Sequence, residues 1–192
     1  VHAPRYLPVG SREGRRRLRD GIPDVAVAAG PADREVAAEP LGGWTREWGL
    51  VVPPDNPKGV EGIDDLIDRD LRFVNRDRSS GLRASLDASI EALKAARDAD
   101  RTELTDAIDG YGLTVKGFES PARKVAAGAA DAGIGLRATA TDLGLGFVPL
   151  GDQRVQVLAD PDRLTKPGTR QLAESLDRLE VTESGLDGFG RV

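Results

Sequence analysis

Apolar positions along this chain follow two alternating rhythms. Leu82, Leu86, Ile90 and Leu93 are spaced by four, four and three residues, which marks one face of a helix running on to about residue 99. Just before it, 71–75 sets Leu71 and Phe73 against Arg72 and Val74, a strand rhythm. The pattern then repeats. A polar helix over 12–20 opens after Val9-Gly10-Ser11 and stops at Gly21 and Pro23. Residues 24–29 read as a buried strand and 44–52 as two aromatics running into a strand, halted by Pro53, Pro54 and Pro57. Short helices are predicted over 62–68 and 102–109, the second closed by Gly110, with a strand over 111–115. Ser120-Pro121 predicts a helix start, with Ser as cap and Pro at the first helical position. A strand at 131–135, a helical turn at 139–143 and two strands at 146–150 and 154–159 follow. A helix over 169–179 and a loose glycine-rich tail over 181–192 complete the series. Residues 1–8 show no period, and 31–39 read as a loop.

Strands alternating with helices predict an α/β chain with mixed, largely parallel sheets. Proline- or glycine-marked crossings near 50–55 and 145–152 predict two lobes joined by two hinge strands. Residues 1–50 with 151–192 form the first lobe, discontinuous and truncated at its N-terminal side, and 51–150 form the second. A ligand in such a fold lies in the cleft, at strand ends and helix N-termini.

Composition narrows the chemistry. The 192 residues hold no Cys and one His, His2, so thiolate sites, Ser-His-Asp catalysis and histidine-based zinc sites are set aside. No run of 18 apolar residues occurs, which excludes a membrane-spanning helix. A net charge of −5 and a pI of about 5.1 argue against a nucleic-acid surface. The arginines of 12–20 lack interleaved aromatics and read as a solvated face. The absence of Met, even at position 1, points to a processed product or a fragment.

The candidate site is the loop that joins the 71–75 strand to the long helix. Ser79, Ser80 and Gly81 stand where free backbone N–H groups and the positive end of the helix converge, an anion cradle. The plainer alternative is an ordinary Ser cap. Arg83 is placed to reach such an anion or to pair with Asp87 one turn on. Asn75 and Arg76 end the strand, and Tyr111 offers a phenol or a core-edge ring. Asp131 reads as a structural strand-end residue, and Trp44 and Trp48 as hinge packing.

The ordered series Trp48-Gly49-Leu50, Asn56-Pro57, Asp65-Leu66, Asn75-Arg76, Ser79-Ser80-Gly81-Leu82-Arg83, Gly110-Tyr111, Ala130-Asp131-Ala132-Gly133 and Phe147-Val148-Pro149-Leu150 resembles a known pattern. It is similar to the periplasmic-binding-protein-like (type II) domain found fused to molybdopterin-biosynthesis proteins and to molybdate-type DNA-binding regulators. The match covers roughly 41–160. Residues 10–29 are similar to the first helix start and following strand of molybdate-binding proteins. Leu82 replaces a hydroxyl of the family motif, Asp55 adds a charge, and Gly117-Phe118 stand near a missing His.

The resemblance implies a two-lobed, non-catalytic binding domain for a small oxyanion such as molybdate or tungstate. It is linked to molybdenum-cofactor biosynthesis or its regulation and needs no other cofactor or metal. Ser11, Asn75, Arg76, Ser79, Ser80, Gly81, Arg83 and Tyr111 are then the ligand-binding set, with Ser11 across the cleft from Ser79 and Ser80. A fused or partner DNA-binding or cofactor-synthesis domain is implied. Homodimers are compatible with it, direct nucleic-acid binding is not, and the cytoplasm is the expected location unless a signal peptide has been removed. Two other readings stay open: a LysR-type effector domain sensing an organic carboxylate, and an enzyme of the molybdopterin pathway.

Overall fold

Two strands of 14 residues, β2 (Glu39–Val52) and β6 (Gly146–Ala159), pair antiparallel along their whole length and carry everything else. The computed structural model describes residues 5–31, 37–178 and the backbone of 189–191. Around the pair lie helix α1 (Ser11–Arg19), strand β1 (Val25–Ala29), α2 (Ile63–Asp68), β3 (Phe73–Arg76), α3 (Gly81–Arg97) and α4 (Arg101–Asp106). Then come β4 (Thr114–Val115), α5 (Ser120–Ala126), β5 (Ala132–Leu136), α6 (Arg137–Asp142), α7 (Pro167–Asp177) and β7 (Phe189–Arg191).

The sheet order is β1-β6-β2-β5-β3-β4, with β7 on β2. Trp48–Val51 of β2 pair with β5, whereas Trp44–Arg46 pair with β7 on the same edge. β1 pairs with the Val155–Ala159 end of β6. Residues from both ends of the chain thus gather at one end of the long strands, and residues from its middle at the other. The architecture is a two-lobed α/β fold hung on two shared strands. A β-bulge between Trp48 and Gly49, against Gly151, marks where the ladder changes register.

The sheet is mixed, but parallel pairing is confined to β3 with its neighbours β4 and β5. Largely parallel pairing therefore describes only that end; the hinge strands run antiparallel because each enters from the opposite lobe. β6 is a single strand rather than the two predicted over 146–150 and 154–159, since pairing with β2 carries it through Gly151. The same pairing starts β2 at Glu39, before the predicted 44, through glycines of low strand preference. β4 shrinks from 111–115 to two residues because Leu113 N–H closes a turn on the Gly110 carbonyl. Ser120 is the first residue of α5 and makes no capping bond; Glu119 holds the cap position. Residues 1–4, 32–36 and most of the predicted loose tail lie outside the described residues.

The larger core packs α2, α3 and α4 on one face of the sheet through Leu50, Leu66, Leu71, Phe73, Leu82, Leu86, Ile90 and Ile134, all essentially solvent-free. Val51 with Ala122 and Ala140, and Val74 with Val125, fill the opposite face under α5 and α6. All four residues of β3 are consequently buried, so its outward Arg72–Val74 rhythm becomes a strand covered on both sides. The other lobe has a smaller core of Leu18, Ala26, Ala28 and Leu158. Among the described residues no helix is long and apolar enough to cross a membrane.

Asp131 locks β3 to β5. Its carboxylate accepts the Arg72 backbone N–H at 3.0 Å and two guanidinium N–H groups of Arg72, and Lys58 Nζ lies 3.0 Å away. The Arg72 hydrogen bonds hold this carboxyl far below the usual carboxylate range, with Lys58 adding to the effect. It is no proton donor near neutrality, and it fills the structural place expected of it. Because the folded value is depressed, its stabilisation is complete above the unfolded value of about 3.9 and drains away as pH falls below it. Asp131→Asn is expected to cost about 1 kcal/mol at neutral pH, the partners being half exposed. Urea unfolding should show the gap to wild type narrowing at pH ~3; a gap independent of pH would contradict this assignment.

Candidate functional site

The two predicted helix starts do face each other, and they touch. Arg12 N–H at the start of α1 donates to the Ser79 carbonyl at 3.2 Å. A Cβ on Gly10 would lie 2.2 Å from Ser79 Oγ, and one on Gly81 would lie 2.6 Å from the Ala29 carbonyl oxygen. Only glycine allows backbone from the two lobes to approach this closely. Backbone from the two lobes therefore meets between the helix ends, and the hydroxyls of Ser11 and Ser79, expected to meet an anion, are engaged within their own lobes instead. Ser11 Oγ accepts the Ala29 N–H at 3.0 Å, and Gly10 rather than Ser11 is the cap residue of α1. Ser79 Oγ donates to Asp77 Oδ1, which also accepts the Ser79 N–H at 2.9 Å. Ser80 caps α3 by position, is 8% exposed and makes no side-chain capping bond. Its N–H donates to the Asp77 carbonyl at 3.0 Å, which leaves its hydroxyl and the Gly81 N–H as the donors of the predicted cradle.

Asn75 is fully buried. Its Nδ2 donates to the Tyr111 carbonyl at 3.2 Å and its Oδ1 accepts the Arg76 N–H, so it closes the loop structurally. Arg83 reaches Asp87 at 2.8 Å and lies over the Tyr111 ring at 4.0 Å. Tyr111 OH donates to the same Asp87 at 2.6 Å. These two predicted ligand residues belong to a separate network on the outer side of α3.

Arg76 is different. It is 8% exposed, its Nη atoms donate to the Phe118 and Lys116 carbonyls at 3.3 and 3.0 Å, and its Nε is buried without a partner. The Phe118 ring lies 5.8 Å from its guanidinium, and a second guanidinium, Arg46 of β2, lies 5.6 Å from the same ring. Neither arginine forms an ion pair with a carboxylate among the described residues. Burial first, and the Arg76 charge second, push Arg46 down to about 10; burial likewise lowers Arg76. Two like charges share a dry corner between hinge and second lobe, a cost that a bound anion would relieve.

Gln153 fixes this corner. It stands directly across the ladder from Arg46, accepts two of its N–H groups at 2.9 and 2.6 Å, and donates to Ser85 Oγ of α3 at 2.7 Å. Gln153 is 2% exposed. The chain Arg46–Gln153–Ser85 couples hinge to lobe, and Gln153 and Ser85 also line a 440 Å³ cavity with Trp48 and Gly30. On the opposite side of the hinge, Glu47 is held below the usual carboxylate range by Arg137 of α6, whose Nη2 lies 3.0 Å away. Arg46, Phe118, Ser85 and Gln153 were missed from sequence. The available signal was Gln153, a polar side chain in line with the inward-facing Val155 and Val157, readable only if β6 is taken as one strand.

Residues 3–177 match the model of the PBP superfamily domain. The uncharacterized protein YvgK of Bacillus subtilis (strain 168) is 34% identical over 146 residues, which are 75% of this chain and 44% of that protein. The chain thus spans less than half the length of that relative. Among solved structures, the effector-binding domain of QuiR in complex with shikimate has a TM-score of 0.62 at 16% identity, covering 88% of this chain and 77% of that one. A phosphate ABC transporter substrate-binding protein with bound phosphate from Clostridium perfringens gives 0.62 at 14% identity, over 96% and 85%. The regulatory domain of Synechocystis CcmR with 2-PG gives 0.58 at 16% identity, over 87% and 78%. The sequence match fixes the family and the structural likeness its two-lobed type II form: the chain belongs to the PBP superfamily.

Proposed function

We propose that this chain is a ligand-binding domain that closes around a small anion, with Arg46 and Arg76 as its charged seat. The observation that carries the reading is the guanidinium pair beside Phe118, which forms no ion pair with a carboxylate among the described residues, with the Arg76 Nε left unpartnered. Guanidinium forks match carboxylate and phosphate groups in bidentate geometry. The proposed ligand is accordingly a small organic carboxylate or a phosphate compound. This favours the effector-domain reading, and the ligands named for QuiR, CcmR and the phosphate-binding protein have the same chemistry. A fused DNA-binding domain fits two of those neighbours, which are regulator domains.

A tetrahedral oxyanion such as molybdate or tungstate remains the second reading. Its support is the uncommitted Ser80 hydroxyl at the start of α3. The link to molybdenum-cofactor synthesis rests on the motif resemblance alone.

Thermal-shift and calorimetric titration with shikimate, phosphate, molybdate and tungstate separate the readings. Arg46→Ala is expected to weaken the best anion by about 1.5–3 kcal/mol, roughly ten- to a hundredfold. An affinity untouched by Arg46→Ala and Arg76→Ala moves the site elsewhere. Binding needs the protonated Arg46, so affinity should hold level to about pH 9 and fall as pH rises through about 10, the value burial imposes. A flat profile across that range would remove Arg46 from the seat. Gly81→Ala drives a Cβ into the Ala29 carbonyl. It should enlarge the radius of gyration by X-ray scattering and weaken the anion; unchanged scattering would mean the lobes do not close at this contact.

A further inference from the structure

We infer that the chain has a second anion site, outside the cleft corner, built to take a polyphosphate-class anion. A cavity of 560 Å³ lies on the outer side of α3, within the range of roughly 300–1,000 Å³ typical of small-molecule sites. Four arginines from four segments line it: Arg12 in the first turn of α1, Arg78 in the loop before α3, Arg83 of α3 and Arg101 at the start of α4.

A single carboxylate, Asp87, faces them. It is already shared among Arg83 at 2.8 Å, Arg101 at 3.2 Å and the Tyr111 hydroxyl at 2.6 Å. Arg12 and Arg78 pair with no carboxylate among the described residues. Composition does not explain this, because the chain is net −5 and many of its other arginines meet a carboxylate. Arg16 and Arg17 share Glu13, Arg69 meets Asp65, Arg97 meets Asp64 and Asp68, and Arg163 meets Asp24.

The cavity carries three more positive charges than negative ones, distributed around its wall rather than at one point. One carboxylate cannot neutralise that arrangement, whereas a chain of phosphoryl groups presents charge along its length to several guanidinium forks. Arg12 comes from the lobe that contains α1 and the other three from the lobe that contains α3. A polyanion held here bonds to both and staples the closed form, biasing the same closure the cleft ligand uses.

Titration of the whole chain with inorganic pyrophosphate at about 0.15 M salt tests the site, the salt suppressing diffuse attraction. With the cleft seat removed by Arg46→Ala, the expected result is saturable one-to-one binding, weakened at least tenfold by adding Arg12→Ala or Arg78→Ala. Both added substitutions fall on exposed side chains, so thermal unfolding of each double variant should match the Arg46→Ala parent and exclude misfolding. Absence of saturable binding, or binding indifferent to both substitutions, overturns the proposal. Loss of pyrophosphate in Arg46→Ala overturns it differently, by placing the polyanion in the cleft. The cleft reading stands or falls separately, on Arg46 and the monovalent carboxylates.

Discussion

The long antiparallel ladder between β2 and β6, continuous but for register shifts at Pro40–Gly42 and Trp48–Gly49, is the constraint on which everything else depends. It runs through both lobes, so neither lobe owns a complete sheet, and each element packs against strands that the other lobe also uses. Register along that ladder sets Arg46 directly opposite Gln153. A slip of one residue would turn both side chains to the far face of the sheet. Thus a hydrogen-bonding pattern in the backbone fixes where charge sits.

Polar groups around the cleft are divided between two tasks. The neutral groups that family resemblance assigned to an anion are largely engaged by protein: Ser11 Oγ accepts the Ala29 N–H and Ser79 Oγ donates to Asp77, while the bond from Arg12 N–H to the Ser79 carbonyl joins the lobes. In the proposed reading charge recognition falls to Arg46 and Arg76, which form no ion pair with a carboxylate among the described residues. Holding two guanidiniums there costs stability, a cost that the proposed anion would offset on entering. Asp131, by contrast, has four donors in place and serves the sheet.

Much of the fold was legible because helix and strand rhythms survive in the sequence. The helix over 82–99, the Arg-rich helix and the short strands all appear within a few residues of their predicted places. Elements were misread where tertiary pairing overrides local preference. Gly42, Gly43 and Gly151 interrupt any strand signal, yet β2 and β6 pass through them because a partner strand supplies the bonds. The site was less legible for the same reason. Arg76 was named from its motif, but its companions Arg46 and Gln153 sit on strands whose continuity the sequence hides. Arg83 and Tyr111 were named for the anion and share Asp87 with each other instead, a pairing with Tyr111 that helical spacing alone does not reveal.

The central claim is that an anion sits on the Arg46–Arg76 pair. Nitrogen-15 resonances of the arginine Nε–H groups, followed while shikimate or phosphate is added, address it most directly. The Arg76 Nε–H, buried and unpartnered, is expected to shift with Arg46 and to saturate with the same dissociation constant as calorimetry reports. An anion that binds measurably while both resonances stay in place would contradict it.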